Sequence, residues 1–359
     1  MTILIPLSSV SVTDVEQRYV QEAMNSGMIS SSGPFVSAFE KALAAQTGVR
    51  FVVATASGTS ALELALRALG IGAGDEVVVP AFTFAAPALA ICLVGATPVF
   101  ADVTTETWTI DPESVRRQLT PRTRAIIAVD VLGHPCDYDA LADIGVPVIE
   151  DGAQAHGAAY KGRPIGSLAT VAVFSFHANK VISTGEGGCV ATDDPALAER
   201  VRRLNAFGMD ASRRYWHTEI GCKHCMNNVT AAVGLAQVER WDALLAGRAR
   251  VAAAYDEALA GLPVQRRPVA EWAKESVWLF TIASERRDAI LEACHRCGID
   301  ARSLWPALPL NPVFQAFDRG DCRRAIEIAN RAIWLPTWSD MPIDTVRLVA
   351  AAVAEGLSY

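Results

Sequence analysis

Three short stretches carry side chains whose type and position suit chemistry. The apolar run PVIED (147–151) ends in Glu150 and Asp151, with Gly152 and Gln154 just beyond. In an open α/β sheet ligands collect outside the carboxyl ends of the strands, so a carboxylate there faces a site; the competing role for a single Asp after a strand is to cap a helix. The second stretch, SFHANKVISTGEGG (175–188), runs from a strand into a glycine-rich turn and holds Lys180. A lysine buried among apolar neighbours loses basicity and can form a Schiff base, whereas a solvated one is only a surface charge. The third, TASGTSALELAL (55–66), follows FVVA and opens a helix at Ser57, Gly58 and Thr59. Free amides and the positive end of the helix attract an anion, and small residues let the backbone approach it. Helix capping alone accounts for the serine and threonine but leaves Gly58 unexplained.

The elements that would position these residues are legible in the hydrophobic pattern. FVVA (51–54), EVVVP (76–80), TPVFAD (97–102), RAIIAV (124–129) and PVIED (147–151) are short, mostly β-branched runs separated by segments of helical length. Such runs suit strands covered on both faces, which predicts an α/β fold around a mostly parallel sheet. TVAVFSF (170–176) and GGCVATD (187–193) follow without a long helix between them, so the sheet is expected to be mixed. Ahead of these, Thr13 to Asn25 and Pro34 to Thr47 have helical spacing, with Phe35, Phe39, Leu43 and Ala44 on one face. Residues 229–262 read as one long, Ala-rich connecting helix. A strand at 277–283, amphipathic stretches at 287–298 and 322–333 and a closing helix at 344–357 then form a smaller α+β unit. The expected division is residues 1–240, a large α/β domain with an N-terminal arm, and residues 241–359, a small C-terminal domain.

The 359 residues carry 32 Lys and Arg against 39 Asp and Glu, a net charge of −7, which disfavours nucleic acid or an anionic membrane as partner. No apolar run approaches the roughly 20 residues of a membrane span, and the first residues lack the basic and cleavage regions of a secretory signal, so a cytoplasmic location is expected. The 8 cysteines are then expected to be reduced. Cys222-x-x-Cys225 and Cys294-x-x-Cys297 have the pairing of zinc ribbons, but they stand too far apart along the chain to complete one site, and no metal is expected.

Five ordered motifs go further: SGTSALELALRALGIGAGDEVVVPAFTFAA, GATPVFADV, VIEDGAQAHGA, FSFHANKVISTGEGG, and GMDASRRYWHTEIG followed by AAVGLAQVERWD. From about Gly27 to the C-terminus the chain resembles the DegT-like sugar-nucleotide aminotransferases, which are fold-type I pyridoxal 5′-phosphate (PLP) enzymes. The resemblance implies a homodimer with shared sites that moves an amino group from an amino acid, glutamate being the expected donor, to a nucleotide-linked 4-keto-6-deoxy sugar. It makes Lys180 the Schiff-base lysine and Asp151 the partner of the pyridinium nitrogen, where a carboxylate keeps the ring protonated as an electron sink. Gln154 would touch the ring or its 3′-oxygen, Phe84 would stack on the ring, and Gly58, Thr59 and Ser175 would bind the phosphate. Arg213, Arg214, Tyr215 and Trp216 would grip the sugar nucleotide. Where relatives commonly place an aromatic, Asn, aromatic, Arg series before Met, this chain reads Gly221, Cys222, Lys223, His224, Cys225, Met226, which puts Lys223 in line to reach the partner's cofactor phosphate. Trp305 and Pro306 stand where relatives usually have a histidine. A keto-cyclitol aminotransferase and a non-catalytic PLP-binding regulator are the alternatives; the regulator should lack Lys180 or Asp151, and both are present.

Overall fold

Val77 and Val79 bury into one side of a central sheet and Val78 into the other, which is why EVVVP reads as an unbroken apolar run. A computed structural model describes residues 3–320 and 322–358. In chain order the strands of its first half are β1 (Phe51–Thr55), β2 (Glu76–Pro80), β3 (Thr97–Ala101), β4 (Thr123–Val129), β5 (Val148–Asp151), β6 (Ala159–Tyr160), β7 (Arg163–Pro164), β8 (Val171–Ser175) and β9 (Gly188–Thr192). Seven of them form one sheet in the order β1-β9-β8-β5-β4-β2-β3, parallel from β3 through β8, with β9 antiparallel to both its neighbours. The expected mixed sheet is therefore present. Its two faces are covered by two apolar clusters, one including Leu62, Leu64 and Leu66, the other Phe39 and Leu43.

Three helices of the first part begin as the sequence signals. α1 (Asp14–Asn25) carries a capping box between Thr13 and Glu16, α2 (Pro34–Thr47) starts on a proline at its first position, and α3 (Gly58–Ala68) is capped by Ser57. The stretch 229–262 departs from the single helix expected. It forms two helices, Asn228–Glu239 and Trp241–Ala258, that meet at Arg240, whose backbone leaves the helical region at φ −101° and ψ 13°. The break is locked from outside the stretch, because the Arg240 guanidinium is drawn to Glu16 and to the Ser11 carbonyl.

In the second half, β10 (Gln265–Arg266), β12 (Phe280–Ala283), β13 (Arg302–Ser303) and β14 (Ala332–Leu335) make an antiparallel sheet in the order β10-β12-β14-β13, while β11 (Ala273–Lys274) pairs with β6. Two expectations shift here. The strand expected over 277–283 begins only at Phe280, and Ala332 and Ile333, read as the end of an amphipathic stretch, belong to the buried strand β14 between β12 and β13. A run as short as AIWL is equally apolar in either state, so periodicity cannot separate them and the neighbouring strands decide. The N-terminal arm joins this half too: Thr337 N–H donates to the Leu7 carbonyl and Leu7 N–H to Asp300.

Candidate active site

At the carboxyl ends of β5 and β8 the sheet opens into a cavity of about 320 Å³, within the range of ligand sites. One wall is the start of α3. Ser57 Oγ accepts the Ser60 N–H at 3.1 Å and the Ser57 carbonyl takes that of Ala61, so Ser57 is the cap. The first helical amides, those of Gly58 and Thr59, have no intrahelical acceptor and remain for an anion. Gly58 is glycine for a steric reason: a Cβ there would lie 2.8 Å from Ser175 Cβ, and one on Gly188 would lie 2.4 Å from the Ser57 carbonyl carbon. The two absent methyl groups keep α3 pressed against the ends of β8 and β9.

Asp151 ends β5 and is buried. It caps no helix. Its Oδ1 accepts the Ala153 N–H at 3.0 Å in a short turn, and burial raises its pKa to about 6 against the opposing pull of that amide and of Lys180. Glu150, one residue earlier, points to the opposite face, where the amides of Gly166 and Leu168 satisfy it. Gln154 Oε1 accepts the Leu132 N–H at 2.8 Å, an arrangement that leaves its amide nitrogen as a donor in the cavity wall. Lys180, its backbone N–H held by the His177 carbonyl, has its pKa lowered by burial to about 7, with Asp151 working in the other direction. An amine so placed is half neutral near physiological pH, which a solvated lysine is not.

Gly58, Thr59, Phe84, Asp151, Gln154, Ser175 and Lys180 all line this one cavity. Phe84, half exposed, stands at the mouth with its ring 6.5 Å from Trp305. The other five candidates lie outside it. Arg213, Arg214, Tyr215 and Trp216 form an exposed turn in which Asp210 Oδ1 accepts the amides of Ser212 and Arg213, and the Arg213 guanidinium lies 3.8 Å from the Trp216 ring centre. Lys223 belongs to an extended segment bridged to Ala206, and its Nζ donates to Ser31 Oγ at 3.0 Å. Sequence reasoning overlooked Thr83, Trp278 and Trp334. Thr83 Oγ1 and Trp334 Nε1 are buried without a hydrogen-bond partner in the cavity wall, and Trp278 faces Lys180 across the fold. Only Thr83 had a local signal, its place in the turn with Phe84. The thiols of Cys222 and Cys225 turn to the carbonyls of Leu204 and Asn205, and among the described residues no cluster of His, Cys, Asp or Glu is arranged for a metal.

The profile of the DegT/DnrJ/EryC1/StrS aminotransferases matches residues 11–354. The chain belongs to that family. It is 39% identical over 348 residues to a GDP-perosamine synthase of Caulobacter vibrioides, an alignment covering 94% of each chain, and 40% identical over 313 residues to the dTDP-3-amino-3,4,6-trideoxy-α-D-glucose transaminase of Streptomyces venezuelae, covering 85% of this chain and 82% of that one. Among solved structures, DesV of S. venezuelae, in complex with a ketimine intermediate, superposes over all of both chains with a TM-score of 0.94 at 34% identity. Spr1654 of Streptococcus pneumoniae in its PLP form gives 0.91 at 30%, covering 97% and 99%. The aminotransferase is PLP-dependent and adopts the fold-type I architecture expected.

The cavity's own features suit that cofactor. Its phosphate needs a cradle of unpaired amides without side-chain bulk, which the start of α3 at Gly58 and Thr59 provides; the orphaned Thr83 hydroxyl offers a further donor; Asp151 and Lys180 supply the carboxylate and the amine.

Proposed function

We propose that this enzyme takes an amino group from an amino acid, with glutamate as the expected donor, and delivers it to a nucleotide-linked keto sugar of the 4-keto-6-deoxy, perosamine type. The observation that carries the reading is the half-neutral Lys180 amine beside buried Asp151 in a cavity also lined by four aromatic rings, Phe84, Trp278, Trp305 and Trp334. Aromatic faces suit the C–H-rich side of a deoxy sugar, and GDP-perosamine synthases are among the relatives.

Lys180 would hold the cofactor through its amine and, when free, would take up the proton lost from the substrate's Cα. Bound PLP supplies the electron sink for the pair released at Cα. Asp151 would hold the proton on the pyridine nitrogen, Gln154 would donate its amide to the 3′-oxygen, Phe84 would cover the ring, and Gly58, Thr59 and Ser175 would hold the phosphate. Residues 1–240 act as the cofactor domain, while residues 241–359 close the cavity with three of their tryptophans, Trp278, Trp305 and Trp334. The active unit is a homodimer in the cytoplasm. Lys223 reaches the partner's phosphate site, and Arg213, Arg214, Tyr215 and Trp216 grip the nucleotide through bidentate and stacking contacts.

The test is to incubate the enzyme with PLP, glutamate and a panel of nucleotide-linked keto sugars and keto-cyclitols, and to weigh the products by mass spectrometry. An aminated sugar nucleotide is expected; amination of a cyclitol and of no sugar overturns the assignment.

A further inference from the structure

The ring of Trp278 faces Lys180, with Nζ 3.6 Å from the centre of the indole. Everything around the ring holds it there. Trp278 is buried, its Nε1 donates to the Asn179 carbonyl at 2.9 Å, and it stacks on Trp305 at 6.3 Å and 22° and meets Trp334 edge-on at 5.5 Å. Arg248, also buried, donates to the Trp278 and Thr337 carbonyls and, at 3.4 Å, to the same Asn179 carbonyl. One peptide oxygen, that of the residue just before Lys180, thus ties the ring and the lysine's backbone into a single assembly.

A cation over an aromatic face is attracted by the ring quadrupole, and more strongly where water is excluded. The polar groups near the amine are Asp151 from β5, which favours the ammonium, Arg248, held at the Asn179 carbonyl, and His177 with Glu186 at the mouth; buried His156 stays neutral, its pKa lowered to about 3. The ring lies 3.6 Å from Nζ and cannot take its proton.

Resting on the reading of Lys180 as the Schiff-base lysine, we propose that Trp278 is a positioning residue: its indole is the docking place of the Lys180 ammonium whenever that lysine is not bonded to the cofactor. A proton gathered by Lys180 is then held at a fixed point beside the reacting atoms while the side chain is free, and the amine returns from the same point.

The experiment titrates Lys180 in the apoprotein, following the yield of its acylation by an amine-directed reagent against pH with peptide mass spectrometry. The wild-type midpoint is expected at about 7. Trp278→Leu removes the ring face and should lower it by about 0.5 to 1.5 pH units, with Trp278→Phe, a weaker ring face, falling between the two. In the PLP-loaded protein the single-turnover reaction with the amino donor at pH 7 should slow by roughly 5- to 30-fold in Trp278→Leu and by less in Trp278→Phe. An unchanged midpoint, or the raised midpoint that simple entry of water would produce, overturns the proposal. If the leucine variant does not fold, the phenylalanine variant decides: a midpoint equal to wild type is the overturning result. A borohydride-fixed cofactor on another lysine would defeat the reading of Lys180 itself and leave the apoprotein titration standing as a separate result.

Discussion

Lys180 and Lys223 both lie near an aromatic ring, the first 3.6 Å from Trp278 and the second 5.7 Å from Phe207, yet their surroundings make them different reagents. Lys180 sits past the end of β8, beside buried Asp151, and burial pulls its pKa to about 7. Lys223 sits on an exposed segment and spends its amine on the Ser31 hydroxyl. The comparison teaches that reactivity here comes from withdrawal of water and not from residue type, and that strand ends, whose register is set by the ladder, are where the fold places it.

The sharpest break of that comparison is Lys180→Ala. Transamination should fall by about 10³-fold or more, while PLP still binds through the α3 amides and Asp151 and is retained on gel filtration. Comparable turnover in this variant would put Lys180 on the same footing as Lys223. Next comes Asp151→Asn, expected to lower kcat by about 10²-fold because the amide cannot hold the pyridine nitrogen protonated, with little change in melting temperature because it keeps the turn to Ala153. An equal loss of stability and activity would demote Asp151 to a turn residue.

Mixing Lys180→Ala and Lys223→Ala subunits sharpens the other side. If Lys223 serves the opposite site, mixed dimers hold one intact site and activity returns toward half per dimer; no recovery with proven subunit exchange and two inactive parents places Lys223 in its own chain's site. Arg213→Ala and Arg214→Ala should raise the sugar nucleotide's KM by about 3- to 10-fold at near-constant kcat, the mark of contacts made equally in ground and transition states. The smallest effect is thermodynamic. The Lys180 pKa falls from 10.5 unfolded to about 7 folded, so keeping its charge in the cavity costs stability fully below pH 7, and the cost disappears as pH rises toward 10.5. Apoprotein carrying Lys180→Met should melt above wild type by on the order of a few °C at pH 6, with the gap closing by pH 10.

Much of the fold could be read along the chain because each strand of the large sheet buries both faces and so writes itself as a run of apolar residues. The weaker places were those where a partner decided the state. Arg240 breaks a helix because Glu16 and Ser11 pull on it, and Ala332 to Leu335 is a strand because β12 and β13 flank it. In the site, Asp151, Lys180 and Gly58 were visible because each sits at a change of element that has a local signature. Trp278 and Trp334 were not, since a tryptophan in an apolar stretch reads as core wherever it stands.

The local pattern of residues was enough to place the strands of the large sheet and the carboxylate and amine near two strand ends, because apolar runs and changes of element are written over a few residues. Long-range packing settles the rest: Asp151 caps nothing and faces a cavity, Glu150 beside it faces away, and Trp278 covers Lys180 through a carbonyl 99 residues distant in the chain. The reason is physical: hydrophobic periodicity and capping are local, whereas the removal of water that lowers the Lys180 pKa exists only once segments remote in sequence close over it.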